Sequence, residues 1–218
     1  MLMLMSGIAG MNQNSKPYVI VITGGIASGK TEASKYLREL GYTVLDSDQI
    51  VHNGYKKDTE LYKSLVSIFS QNILDESQNI DRQRLGKIVL SDDEKLNKLN
   101  GIVHKYVIDE LISGVDKCTD KLVFLDIPLI FEQKDTLAGM NLSYDEIWLV
   151  YVSEETQKKR LMQRAIAENK NVEQTLSIIK KQMPIEEKRR LADRIINNEG
   201  TIEDLRKEIV EILTLIEN

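Results

Sequence analysis

A strand-like run that opens into a glycine loop and then a helix constrains this chain more than any other feature. Residues 18–23 (YVIVIT) are uncharged and rich in β-branched side chains, the pattern of a strand buried on both faces of a parallel sheet. Gly24-Gly25-Ile26-Ala27-Ser28-Gly29-Lys30-Thr31 follows at once and satisfies GxxxxGK(S/T). Ala33, Tyr36, Leu37 and Leu40 then recur at helical spacing, and Gly41 stands where a left-handed helix cap belongs. Glycines at 24 and 29 let the loop turn so that its amides face phosphate oxygens, and the helix beginning near Lys30 adds its positive dipole end. The sequence therefore predicts a nucleoside triphosphate held by Gly25, Ile26, Ala27, Ser28 and Gly29, with Lys30 on the β- and γ-phosphates and Thr31 on Mg²⁺.

Residues 42–46 (YTVLD), 121–126 (KLVFLD), 146–152 (EIWLVYV) and 194–196 are further apolar runs, separated by helical patterns. Such alternation predicts an α/β protein with a parallel five-stranded sheet covered by helices. The last helix is marked by Thr201 as N-cap, by Glu203 and Asp204 in its first turn, and by Ile202, Leu205, Ile209, Ile212, Leu213 and Ile216 along one side. The stretch between Asp46 and Lys121 is more than twice the roughly 30 residues of an ordinary strand-helix-strand unit, and it reads as helices: Leu61, Leu65, Ile68 and Phe69, then Leu85, Ile88 and Val89, then Leu96, Leu99, Ile102, Val103, Tyr106 and Val107. Residues 57–117 are expected to form a helical insertion overhanging the carboxyl ends of the strands, where ligands bind in such sheets. The domain is expected to span residues 17–218, behind an extension formed by residues 1–16.

Charge and cysteine content narrow the function. A net charge of −5 argues against a general nucleic-acid binder, which draws its affinity from a surplus of Lys and Arg. Cys118 is the only cysteine, so no internal disulfide forms and the cytoplasm is the default location. Together with His52 and His104 it cannot furnish a zinc site of the usual Cys/His make-up. His52, Trp148 and Cys118 read as packing or surface residues. No run approaches the roughly 20 apolar residues of a membrane helix, and nothing in the sequence calls for an obligate protein partner. A GTPase would show DxxG and NKxD; DxxG does not occur, and Asn169-Lys170-Asn171 is followed by Val172. Motor and AAA-type ATPases are larger and act on macromolecules. A phosphotransferase for a small acceptor remains, with a nucleotide sensor that transfers nothing as the non-enzymatic alternative.

TGGIASGK at 23–30, LG at 40–41, VLDSD at 44–48, IDRQRL at 80–85, DIPLIFE at 126–132, the Q-x-x-R-x-x-x-R of Gln157, Arg160 and Arg164, and KQMPIEEKRRLADRIINNEG at 181–200 together resemble the dephospho-CoA kinase family, in order and in spacing. The resemblance implies a three-layer P-loop kinase fold with a helical acceptor subdomain and a helical lid at about 157–183. It also implies transfer of the ATP γ-phosphate to the ribose 3′-hydroxyl of dephospho-CoA, with MgATP and dephospho-CoA as the small-molecule partners. Four positions depart from the family's pattern: Ala27 and Ser70 stand where it has glycine, Glu32 where it has Ser or Thr, and Lys105 where it has proline.

Individual roles follow. Asp46 and Asp48 are expected at the carboxyl end of the second strand, projecting to one side of an extended chain; either can instead cap a helix opening near Gln49. The resemblance assigns Asp48 to the attacking hydroxyl, and Asp46, Arg82, His104, Pro128 and Glu132 to the acceptor side. Arg160 and Arg164, four apart on one helix, are expected to present guanidinium groups to the transferring phosphate. Asp126 ends its strand as a Walker-B-like carboxylate facing Mg²⁺, and Asn198 is expected near the adenine.

Overall fold

The computed structural model describes residues 16–134 and 139–217, so the expected extension lies outside the description except for Lys16. In chain order the elements are β1 (Tyr18–Gly24), α1 (Lys30–Glu39), β2 (Thr43–Asp46), α2 (Ser47–Gly54), α3 (Glu60–Phe69), α4 (Arg82–Val89), α5 (Asp93–Lys117), β3 (Leu122–Asp126), β4 (Glu146–Tyr151), α6 (Glu154–Ala167), α7 (Val172–Ser177), α8 (Ile185–Leu191), β5 (Arg194–Asn197) and α9 (Ile202–Glu217). They group into two compact units, one formed by the chain up to Leu45 and from Cys118 onward, the other by Asp46–Lys117.

The first unit is built on a five-stranded parallel sheet in the order β2-β3-β1-β4-β5. Register fixes what its carboxyl edge carries. Ile22 pairs with Asp126, Gly24 with Val150, and Tyr151 with Asn197, so the loops after β1, β3 and β5 leave the sheet side by side. Ile20, Ile22, Phe124, Trp148, Val150 and Ile196 on one face pack with Ala33 and Leu37 of α1 and Leu205, Ile209 and Leu213 of α9. Phe124 meets Trp148 edge to face, with ring centroids 5.4 Å apart. The alternate residues Val19, Val21, Val123, Leu125 and Leu149 are buried as well, and α8 packs on β4. A sheet covered on both sides accounts for the unbroken apolar runs of its strands.

Local signals set the helix ends. Gly41, at φ 94°, closes α1 while Tyr42 N–H returns to the Leu37 carbonyl at 3.1 Å. At α9, Thr201 Oγ1 accepts from Asp204 N–H at 3.2 Å and Asp204 Oδ2 accepts from Thr201 N–H at 2.9 Å, a reciprocal cap. Ile202 departs from the expected apolar side: at the first position of α9 it lies ahead of the stripe that meets the sheet and is exposed.

The second unit has its own core of Leu61, Leu65, Phe69, Ile73, Leu85 and Val89, with Leu96, Leu99, Val103 and Tyr106 of α5 packed against it. Ile68 is exposed instead of joining them. Thr59 caps α3 by accepting from Tyr62 N–H at 3.1 Å, and Asp81 caps α4 by accepting from Gln83 and Arg84 N–H at 2.8 and 3.1 Å. This unit begins at Asp46, so α2, ahead of residue 57, belongs to it. Strand β2 stops at Asp46 and Ser47 already starts α2.

Candidate active site

The glycine loop joins the buried strand β1 to α1 with no intervening residue beyond 25–29. Thr23, at the end of the strand, donates through Oγ1 to the Pro128 carbonyl at 3.0 Å, tying this corner to the loop after β3. Ser28 N–H closes a turn onto the Gly25 carbonyl at 3.1 Å. Gly29 then takes φ 92° as the residue ahead of α1, which leaves the first amides of that helix at the loop with no side chain capping them. A Cβ on Gly29 would collide with the Asn198 amide, and one on Gly25 would collide with the Gln157 amide. A side chain at either position would displace one of these amides, and at Gly29 the left-handed φ disfavours any Cβ as well. Ala27 adopts φ 61° and Ser70 φ 65°, so the two positions that depart from a family glycine keep a glycine-like backbone.

Three amides brace the loop from outside. Gln157 of α6, almost fully buried, donates to the Ile26 carbonyl at 2.9 Å, and Gln182 Oε1 accepts from Ile26 N–H at 2.9 Å. Asn198 Nδ2 donates to the Ser28 carbonyl at 2.7 Å. Asn198 thus turns its amide into the loop as a brace. Gln182, and the support it gives, went unrecognised in the sequence because its partner is 156 residues away.

Lys30, the first residue of α1, pairs with Asp126 Oδ1, and Ser34 Oγ donates to Asp126 Oδ2 at 2.6 Å. The Asp126 side chain is buried while Lys30 keeps some exposure, as a cation needs if it is to reach a phosphate. Thr31 is exposed beside it. Among the described residues no three Asp, Glu, His or Cys side chains gather closely enough to cage an ion. The exposed Thr31 and the buried Asp126 carboxylate behind Lys30 fit Mg²⁺, which binds through few protein ligands and its substrate's phosphates.

Arg160 and Arg164 do not converge. Arg160 Nη2 donates to the Asn198 carbonyl at 2.8 Å, next to the braced loop. Arg164 Nε instead bonds Glu168 Oε1 at 2.9 Å on the exposed surface. Lys170 and Arg164 together push the Glu168 carboxyl down to about 2. Glu132 Oε1 accepts from Met183 N–H at 3.1 Å and lies 2.7 Å from the Nζ of the buried Lys188, so its carboxylate is engaged within this unit.

In the second unit, Asp46 Oδ1 accepts from Gln49 N–H at 3.0 Å and is the N-cap of α2. Asp48 lies exposed in the first turn of that helix. The expectation of two carboxylates on one side of an extended chain is corrected in favour of the cap: the strand ends at Asp46, and the chain has already turned into α2 at Asp48. The Arg82 guanidinium lies 4.8 Å from the Tyr55 ring centroid and 3.4 Å from His52 Nδ1. His104 is half-buried on α5, and burial lowers its pKa.

A sequence profile described as dephospho-CoA kinase matches residues 18–204. The chain belongs to the dephospho-CoA kinase family. It is 43% identical over 198 residues to the dephospho-CoA kinase of Carboxydothermus hydrogenoformans, covering 89% of this chain and 92% of that protein. With the dephospho-CoA kinase of Fusobacterium nucleatum it shares 40% identity over 191 residues, 88% of this chain and 94% of the relative. The solved structure of dephospho-CoA kinase from Campylobacter jejuni superposes with a TM-score of 0.61 at 26% identity, over 93% and 98% of the two chains. TT1252 from Thermus thermophilus does so with a TM-score of 0.73 at 32% identity, over 93% and 99%. Membership of the dephospho-CoA kinase family makes the chain an ATP-dependent kinase.

Proposed function

We propose that the chain transfers the γ-phosphate of MgATP to the ribose 3′-hydroxyl of dephospho-CoA, giving coenzyme A and ADP. The observation that carries this reading is the braced glycine loop running into α1 with Lys30 at its mouth, in a member of this family.

The loop amides of residues 25–29 and Lys30 bind the triphosphate, and the positive end of α1 favours its charge. Thr31, with Asp126, would hold Mg²⁺, which when bound offsets charge on the phosphate oxygens. Asp48 orients the 3′-hydroxyl and takes its proton as the oxygen bonds to the γ-phosphorus and the bond to the β–γ bridging oxygen breaks. Arg160 stabilises charge on the transferring group, and Arg164 joins it once released from Glu168. Asp46, Arg82, His104 and Pro128 serve the acceptor, and Asn198 borders the adenine as well as bracing Ser28. The helical unit carrying Arg82 and His104 is the acceptor-binding insertion, and residues 157–183 are the lid. Both substrates are small molecules, and a lone cysteine suits the reducing cytoplasm.

Purified protein given MgATP and a panel of dephospho-CoA, shikimate, gluconate and nucleosides should phosphorylate dephospho-CoA. Turnover confined to another acceptor would overturn the substrate assignment, and nucleotide binding with no turnover on any acceptor would favour a sensor.

A further inference from the structure

We infer that Glu132, held by the buried Lys188, is a positioning residue for the triphosphate loop and acts on the nucleotide side of the reaction. This rests on the loop being the ATP site. The Lys188 side chain is fully buried, and its Nζ sits 2.7 Å from Glu132 Oε1 yet makes no hydrogen bond. A buried ammonium is costly, and an apolar side chain of similar length would fill the same space with less penalty. What the charge does provide is a fixed place for Glu132.

Glu132 Oε1 accepts from Met183 N–H at 3.1 Å. Met183 precedes Pro184, which confines it to extended backbone, and Gln182 before it is also extended, at φ −102° and ψ 157°. Anchoring one amide of this stiff segment therefore sets the direction of its neighbour. That neighbour, Gln182, accepts from Ile26 N–H at 2.9 Å at the crest of the loop. On the far side of the segment, Ile185 opens α8, and its Cδ1 would lie 3.2 Å from a Cβ on Gly25. The chain of contact runs Lys188, Glu132, Met183, Gln182, Ile26.

The test compares two double variants that both remove the buried charge pair: Lys188→Met with Glu132→Gln, which keeps an acceptor for Met183, and Lys188→Met with Glu132→Leu, which does not. MgADP affinity is read by calorimetry, KM for each substrate by turnover, and folding by thermal melting. The Gln double should bind MgADP within about twofold of the parent, and the Leu double about tenfold more weakly, the scale of one lost hydrogen bond. KM for ATP should rise in parallel, with KM for dephospho-CoA unchanged and similar melting temperatures for the two doubles. Equal MgADP affinity of the two doubles, at either level, overturns the anchoring role, as does a rise confined to KM for dephospho-CoA. Gln182→Ala provides a second arm should the Leu double not fold: about tenfold weaker MgADP binding is expected, and unchanged binding overturns the proposal. If the parent binds MgADP but turns over no dephospho-CoA, the proposed reaction fails while the MgADP comparison still decides this inference.

Discussion

Asn198 Nδ2 donates to the carbonyl of Ser28 at 2.7 Å, and both residues are buried. The bond joins the end of β5 to a loop 170 residues earlier in the chain, and it exists because parallel register sets the ends of β1, β4 and β5 side by side. Asn198→Ala leaves that buried carbonyl without its donor, at a cost of about 1–3 kcal/mol. Urea titration should show the loss, and calorimetry should show weaker MgADP binding. A variant with unchanged midpoint and affinity would mean that the loop holds its shape without this brace.

Ala27 at φ 61° is a nearby case in which the side chain opposes the backbone. A left-handed conformation costs a residue bearing Cβ roughly 1–2 kcal/mol, and glycine at the same place forfeits about 0.5–1 kcal/mol through its freer unfolded chain. Ala27→Gly is therefore expected to gain about 0.5–1 kcal/mol, a rise of about 1–4 °C in Tm for a chain of this size. A drop in Tm would show that the alanine methyl makes contacts that outweigh the strain.

Asp48 stands exposed in the first turn of α2, where a carboxylate gains only about 0.3–1 kcal/mol from the helix dipole. Asparagine keeps the size of the side chain and an acceptor oxygen, so Asp48→Asn should fold almost normally. Losing a group that takes a proton in the transition state lowers turnover by about 10²–10⁴-fold, whereas MgADP affinity should stay within about twofold, since the loop at 24–31 is untouched. Near-normal turnover would show that another group serves the hydroxyl.

Much of this site was legible because its signals are local. The run YVIVIT, the glycines at 24 and 29, Gly41 as a helix stop and the Thr201 cap each act within a few residues. What escaped depends on pairing across the sheet. Nothing near Gln182 announces Ile26 as its partner, and nothing near Lys188 announces that it is buried against Glu132. Arg160 and Arg164 share a helical face by spacing, but Glu168, one further turn along, takes Arg164 away. For VLDSD the sequence offers both an extended pair of carboxylates and a helix cap, and only the fold selects the second: Asp46 ends the strand and caps α2.

His104 supplies a pH dependence whose sign can be fixed. Burial on α5 pushes its pKa below the ordinary 6.5, so near that pH the unfolded chain binds a proton that the folded protein resists. The contribution of the neutral imidazole is complete above about pH 6.5 and is lost as pH falls through the lowered folded value. His104→Gln removes this term and leaves His52 and every carboxylate in place. Urea midpoints at pH 5, 6, 7 and 8 should therefore run parallel for parent and variant above 6.5, while below it the parent should lose stability faster. Parallel curves across the whole range would mean that His104 takes up its proton as readily in the folded protein as in the unfolded chain.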